Sequence, residues 1–237
     1  SLFAIWFAQR PATDVKTFGY LRWEILAALI NGAALLLLSF FIFAEAWDRL
    51  REPAHVESSL MLGVAVGGLL VNISAALLLH RSAGESLNVR GAYIHVLGDL
   101  LGSLGAITAA IIIQTTGWLY ADPLISVLVG LLILLSSWKL VRESVDILLE
   151  SVPSHIDLEA VRRSIAEIPG VDAVHDLHVW TVTSGYLAMS GHAVVEDPQR
   201  NQVVLEEIDR RMREHFGIGH VTFQLERHRQ HPGNHHA

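Results

Sequence analysis

The sharpest chemical pattern in the chain is His95-Val96-Leu97-Gly98-Asp99, which puts an imidazole and a carboxylate four residues apart. On a helix, positions i and i+4 project from one face about a turn apart, so both side chains reach one point beside it. A neutral imidazole with a carboxylate is half of a tetrahedral N/O site for a divalent cation such as Zn²⁺. The other long apolar segments offer Asn31 and Asn72 in mid-segment and Glu24 and Glu45 near the ends, but no second such pair. The competing reading is that His95 and Asp99 hydrogen-bond each other or their neighbours and only pack the helix. The chain has no cysteine, which excludes thiolate sites, Fe–S clusters and disulfides. An N/O donor set disfavours Cu(I) and suits Zn²⁺, with Co²⁺, Ni²⁺ and Cd²⁺ binding similarly.

A second group of candidate donors lies near the C-terminus: His175, His178, His192 and Glu226. His175 and His178 are three apart on an alternating segment, so strand geometry sends them to opposite faces. His178 precedes Val179-Trp180 and reads as structural, while Asp176 reads as solvated or salt-bridged near a sheet edge. Ten of the 13 histidines follow Val152. His228, His231, His235 and His236 fall in a polar tail that reads as solvated and disordered.

The elements that must carry these residues differ sharply between the two halves of the chain. Of 237 residues, 51% are hydrophobic and only 17% charged, which is no composition for a disordered chain or an ordinary soluble enzyme. The net charge of −7 lacks the basic footprint of a nucleic-acid binder. Four stretches, residues 23–47, 59–79, 91–114 and 123–141, are long and apolar enough to cross a bilayer. An ionisable pair inside such a span is costly and points to an ion pathway or proton relay. Gly91, Gly98, Gly102, Ser103 and Gly105 surround the pair and let another helix approach closely. Residues 1–9 read as the last turns of a further helix, so the chain is expected to be truncated at its N-terminus. Arg10, Lys16, Arg22, Arg81, Arg90, Lys139 and Arg142 flank the spans asymmetrically, placing the C-terminal part in the cytoplasm.

Pro153 is expected to end the last span, and Asp122-Pro123 reads as a helix start. Beyond Pro153, residues 157–168 and 199–216 have helical apolar spacing, and 171–182, 186–195 and 221–225 read as strands, with Ser184-Gly185 as a hairpin turn. The order αββαβ predicts a small α+β domain with both helices on one face of the sheet. The expected division is a membrane bundle over residues 1–152, a cytoplasmic domain over 153–228, and a tail over 229–237.

FGYLRWEILAALING, SLNVRGAYIHVLGDLLGS, YADPLISVLVG, VHDLHVWTVTSG and HVTFQLE together resemble the cation diffusion facilitator family of metal/proton antiporters, in its zinc-exporting bacterial branch. The resemblance implies six spans, of which about four and a half are present, a metallochaperone-like cytoplasmic domain and a homodimer in the inner or plasma membrane. It implies a cargo site of two HxxxD pairs, of which His95 and Asp99 supply one. It also implies cytoplasmic metal ligands at His175, His192, His220 and Glu226, and a dimer interlock of Arg22 with Glu150. The expected activity is export of Zn²⁺, or of Cd²⁺ or Co²⁺, in exchange for protons, with no enzymatic chemistry. A non-transporting, membrane-anchored zinc sensor or dimerisation protein is the alternative. A membrane metallohydrolase is disfavoured, because no general base accompanies a metal motif.

Overall fold

The computed structural model describes residues 6–8, 10–52, 58–84 and 86–227. Most of the segment expected to end a further helix, and the histidine-bearing tail from residue 228 onward, lie outside the described residues. Two compact units are present, Ser1–Asp146 and Ile147–Ala237.

Among the described residues the first unit has four long helices: α1 (Trp23–Arg51), α2 (Ser58–His80), α3 (Leu87–Thr116) and α4 (Ala121–Leu148). Each exceeds the roughly 20 residues a hydrocarbon core of ~30 Å requires, and all four are apolar enough to cross a membrane. Their outer faces are apolar: Leu78 is 81% exposed, Leu77 73% and Phe40 66%. Such a surface is an aggregation hazard in water and a match for lipid. The helices run a few residues past the expected ends because local caps, not hydropathy, stop them. Ser86 accepts a hydrogen bond from the Val89 N–H at the start of α3. Gly117 closes it at φ +71, where its N–H donates to the Ile113 carbonyl. The last span does not run to Pro153; it stops at Leu148, and Glu150 turns the chain at φ +58.

Glycines set the approach of α3 to α4. A Cβ on Gly98 would lie 3.2 Å from Ile133 Cγ1, and one on Gly105 would lie 2.7 Å from Ile125 Cγ2. Branched side chains of α4 therefore occupy space that any larger residue on α3 would fill. An ion pair and a hydrogen bond fasten the helices near their ends. Arg90 Nη1 of α3 lies 2.7 Å from Glu143 Oε2 of α4, and the Ser86 hydroxyl donates to Glu24 Oε1 of α1 at 2.6 Å.

The second unit follows the expected order: α5 (Leu158–Ala166), β1 (Val171–Thr183), β2 (Tyr186–Val195), α6 (Asn201–Phe216) and β3 (His220–Glu226). β1 and β2 are antiparallel, β2 and β3 parallel, in the order β1-β2-β3. Gly185, at φ +74, makes the hairpin turn. Val161 and Ile165 of α5 and Val204, Ile208 and Met212 of α6 pack with Leu177, Val179, Leu187, Met189 and Val195 into one core. Both helices thus cover one face of the sheet, leaving the other to the polar positions of each strand.

Candidate metal centres

In the membrane unit, α3 carries His95 and Asp99 on one face. His95 Nε2 lies 3.5 Å from Asp99 Oδ2, and the two side chains are 46% and 45% exposed. That separation is the spacing of two donors that can share one small cation. Asp99 also lines a cavity of about 480 Å³ between the four helices, with Asn72 of α2, Gly102 and Ser103 of α3 and Ile133 of α4 among its walls. Asn72 therefore faces the same space as Asp99. Asn31 does not: its buried Nδ2 faces Gly91, one turn before His95.

Sequence reasoning missed the pair formed by Arg49 and Asp122. Asp122 is buried, and its Oδ2 lies 2.7 Å from Arg49 Nη1, whose Nε also reaches Glu45 Oε1 at 3.0 Å. A smaller cavity of about 150 Å³ touches Asp122 and Ser126 and shares Ile42, Gly102, Ala106 and Val129 with the cavity at Asp99. Asp122 is thus more than a helix start. Its partner is 73 residues away in sequence, so no local motif announces the pair.

In the second unit, His175 pairs with His192 across β1 and β2, and Glu226 ends β3 beside them. His175 Nε2 is 3.3 Å from Glu226 Oε2, and His192 Nδ1 is 3.0 Å from Glu226 Oε1. One ligand atom from each of the three residues lies within 4.8 Å of the others. Two imidazole nitrogens and a carboxylate fit the donor chemistry and spacing of a zinc site, with a fourth position left to water or another group.

One expectation needs correction. His175 and His178 do not point to opposite faces. A β-bulge between them leaves His175 opposite His192 and His178 opposite Ser190, and those two β2 residues share a face. The inserted residue is Asp176, held at φ +50. His220 does not join the cluster within one chain. It opens β3, opposite Ala188 and stacked against Tyr186. Six residues of strand separate it from Glu226, roughly 20 Å.

Asp176 also stands in a different setting from the one expected. Its Oδ1 is 3.0 Å from His178 Nε2 and its Oδ2 is 3.8 Å from His192 Nε2. The hydrogen bond to His178 holds the Asp176 carboxyl below its ordinary range. Arg22 precedes α1 and Glu150 follows α4, near the ends of the two spans they were expected to mark.

Comparison with known proteins bears on both units. The sequence profile of the "Cation efflux transmembrane domain" matches residues 1–149, and that of the "Cation efflux protein, cytoplasmic domain" matches residues 153–228. The chain is 45% identical over 232 residues to the "Cadmium, cobalt and zinc/H(+)-K(+) antiporter" of Bacillus subtilis (strain 168), covering 95% of this chain and 74% of that one. It is 46% identical over 228 residues to "Zinc transporter ZitB" of Escherichia coli (strain K12), covering 95% and 72%. A solved structure titled "Metal-bound C-terminal domain of the CzcD transporter from Cuprividus metallidurans" is 38% identical, covering 30% of this chain and 99% of that one, with a TM-score of 0.28.

Proposed function

The chain belongs to the cation efflux family, and from that premise we propose that it carries Zn²⁺ out of the cytoplasm in exchange for protons. The observation that carries the reading is the His95–Asp99 pair, two N/O donors 3.5 Å apart on a membrane-spanning helix, with Asp99 lining a largely apolar cavity into which Asn72 and Ser103 also open. Cadmium and cobalt are the alternative cargoes, as the name of the B. subtilis relative suggests.

The coupling follows from the ligands. An imidazole binds a cation through the same lone pair that binds a proton, so cargo and proton compete for one nitrogen. With the site open to the cytoplasm, neutral His95 and ionised Asp99 take the cation. With it open to the other side, a proton on His95 removes one donor and releases it. Arg49–Asp122 then stands beside the cavity that adjoins the one at Asp99.

We assign residues 1–152 to the membrane domain and 153–228 to a C-terminal domain on the cytoplasmic side. His175, His192 and Glu226 would hold Zn²⁺ there, and the ion would tie the ends of the three strands together. The family likeness favours a homodimer in the cell membrane, with Arg22 and Glu150 forming a charge interlock between copies.

The test is zinc uptake into proteoliposomes under an imposed pH gradient, using the chain with any coding sequence that precedes Ser1. Uptake that follows the gradient and vanishes when it is collapsed supports the antiporter. Zinc binding by the C-terminal unit without flux from the same preparation would favour the sensor reading instead.

A further inference from the structure

His192 is flanked by two carboxylates. Its Nδ1 lies 3.0 Å from Glu226 Oε1, on the side of the three-ligand cluster, and its Nε2 lies 3.8 Å from Asp176 Oδ2. The other Asp176 oxygen meets His178 Nε2 at 3.0 Å. The residues therefore form a row, His175–Glu226–His192–Asp176–His178, in which each carboxylate stands between two imidazoles.

The backbone at Asp176 is what makes this row. On a regular strand, Asp176 would alternate onto the face opposite His175, beneath the helices, where an unpaired carboxylate is costly. The bulge instead turns it onto the open face, at φ +50, a conformation few residues other than glycine, asparagine and aspartate adopt. A left-handed residue of this kind is strained and persists where surrounding structure enforces it. Here the strain aims a carboxylate at the far nitrogen of a candidate ligand.

A ligating histidine works best when its second nitrogen is protonated and held by an acceptor, which fixes the ring's tautomer and orientation. We propose that Asp176 is a positioning residue for the C-terminal metal site. It accepts the His192 Nε2–H, so that Nδ1 presents its lone pair to the cation. The present 3.8 Å separation is longer than a hydrogen bond, so the proposal requires the imidazole and the carboxylate to approach by about 1 Å when the cation binds. His178 holds the other oxygen of Asp176 and keeps the carboxylate in place. The proposal rests on reading His175, His192 and Glu226 as a zinc site.

Zinc titration of the whole protein tests it, in a background of His95→Ala and Asp99→Ala so that the ion counted belongs to the C-terminal unit. The readouts are affinity, stoichiometry and the imidazole ¹⁵N spectrum of labelled histidine. Wild-type residues at 175–226 are expected to give one zinc, with His192 bound through Nδ1 and protonated at Nε2. Asp176→Gly suits φ +50 yet removes the acceptor, so affinity should fall about 10–100-fold and the tautomer preference should weaken. Asp176→Asn keeps an acceptor oxygen without charge and should fall between the two, as should His178→Ala. Unchanged affinity and spectrum in Asp176→Gly would reduce Asp176 to a bulge former and overturn the proposal. A second zinc held by Asp176 and His178 would also overturn it. If His192→Ala and Glu226→Ala abolish binding while the Asp176 variants do not, the positioning role falls and the three-ligand site stands. If binding ignores all of these, the site itself is wrong and the proposal goes with it.

Discussion

Gly191→Ala is expected to loosen the C-terminal sheet at the strand that carries Glu226. Gly191 lies on the helix-covered face of β2, next to His192 and opposite Phe223 of β3. A Cβ there would sit 2.7 Å from Phe223 Cζ, 3.0 Å from Cε1 and 3.1 Å from Leu177 Cδ1. Carbon atoms prefer about 3.5–4.0 Å, so the ring must yield by close to an ångström. Phe223 has somewhere to go, because it borders a cavity of about 520 Å³ between α6 and β3. Leu177 is buried and has less freedom. The cost should therefore fall in the lower part of the overpacking range, about 1–2 kcal/mol for alanine, and rise toward about 3 for valine. For a unit of this size each kcal/mol lowers the unfolding midpoint by roughly 4–8 °C. Trp180, the one tryptophan after residue 146, can report unfolding of the C-terminal unit if the protein is labelled with fluorotryptophan and followed by ¹⁹F NMR. Adding Phe223→Leu removes the atoms that clash, so the double variant should be more stable than the sum of the two single losses, by about 0.5–2 kcal/mol. Full stability in Gly191→Ala, or strictly additive losses in the double variant, would refute the packing argument.

Asp122→Asn should leave Arg49 with Glu45 as its remaining anionic partner and lower the thermal stability of the protein in nanodiscs by about 1–3 kcal/mol, less than for a fully buried pair because Arg49 is 43% exposed and keeps the Glu45 contact. The double variant Arg49→Met/Asp122→Leu should be more stable than Asp122→Asn alone. Glu226→Gln removes the charged ligand shared by His175 and His192, so zinc affinity of the C-terminal unit should drop at least about tenfold by chelator competition. On α6, hydrogen bonds from Arg210 and Arg211 pull the Glu207 carboxyl down to about 2. A depressed carboxyl stabilises the fold above its unfolded value and loses that contribution as pH falls through its folded one. Glu207→Gln should thus differ from wild type near neutral pH and converge with it toward about pH 2, as followed by acid unfolding.

Much of this was legible in the residues because long-period signals survive without tertiary knowledge. Twenty apolar residues between charged flanks name a span, and a four-residue spacing names a shared helix face, so α1–α4 and the His95–Asp99 pair could be read directly. Strand positions are more fragile. Counting by twos along β1 assumes no inserted residue, and the bulge at Asp176 reverses the parity of everything before it. That single insertion put His178 on the wrong side and hid the role of Asp176. His220 came in with the family pattern, but chain register keeps it at the far end of β3 from Glu226. Arg49 and Asp122 look like helix-end charges in sequence, and only the packing of α1 against α4 makes them partners.

The claim that His95 and Asp99 exchange cargo for protons is tested most directly by counting protons released when zinc binds. The protein would carry His175→Ala and His192→Ala to silence the C-terminal site and would be titrated calorimetrically in buffers of different ionisation enthalpy. Zinc binding is expected to release protons, with both binding and release lost in His95→Ala and in Asp99→Ala. Zinc binding that releases no protons at any pH tested, or that survives both substitutions, would contradict the exchange.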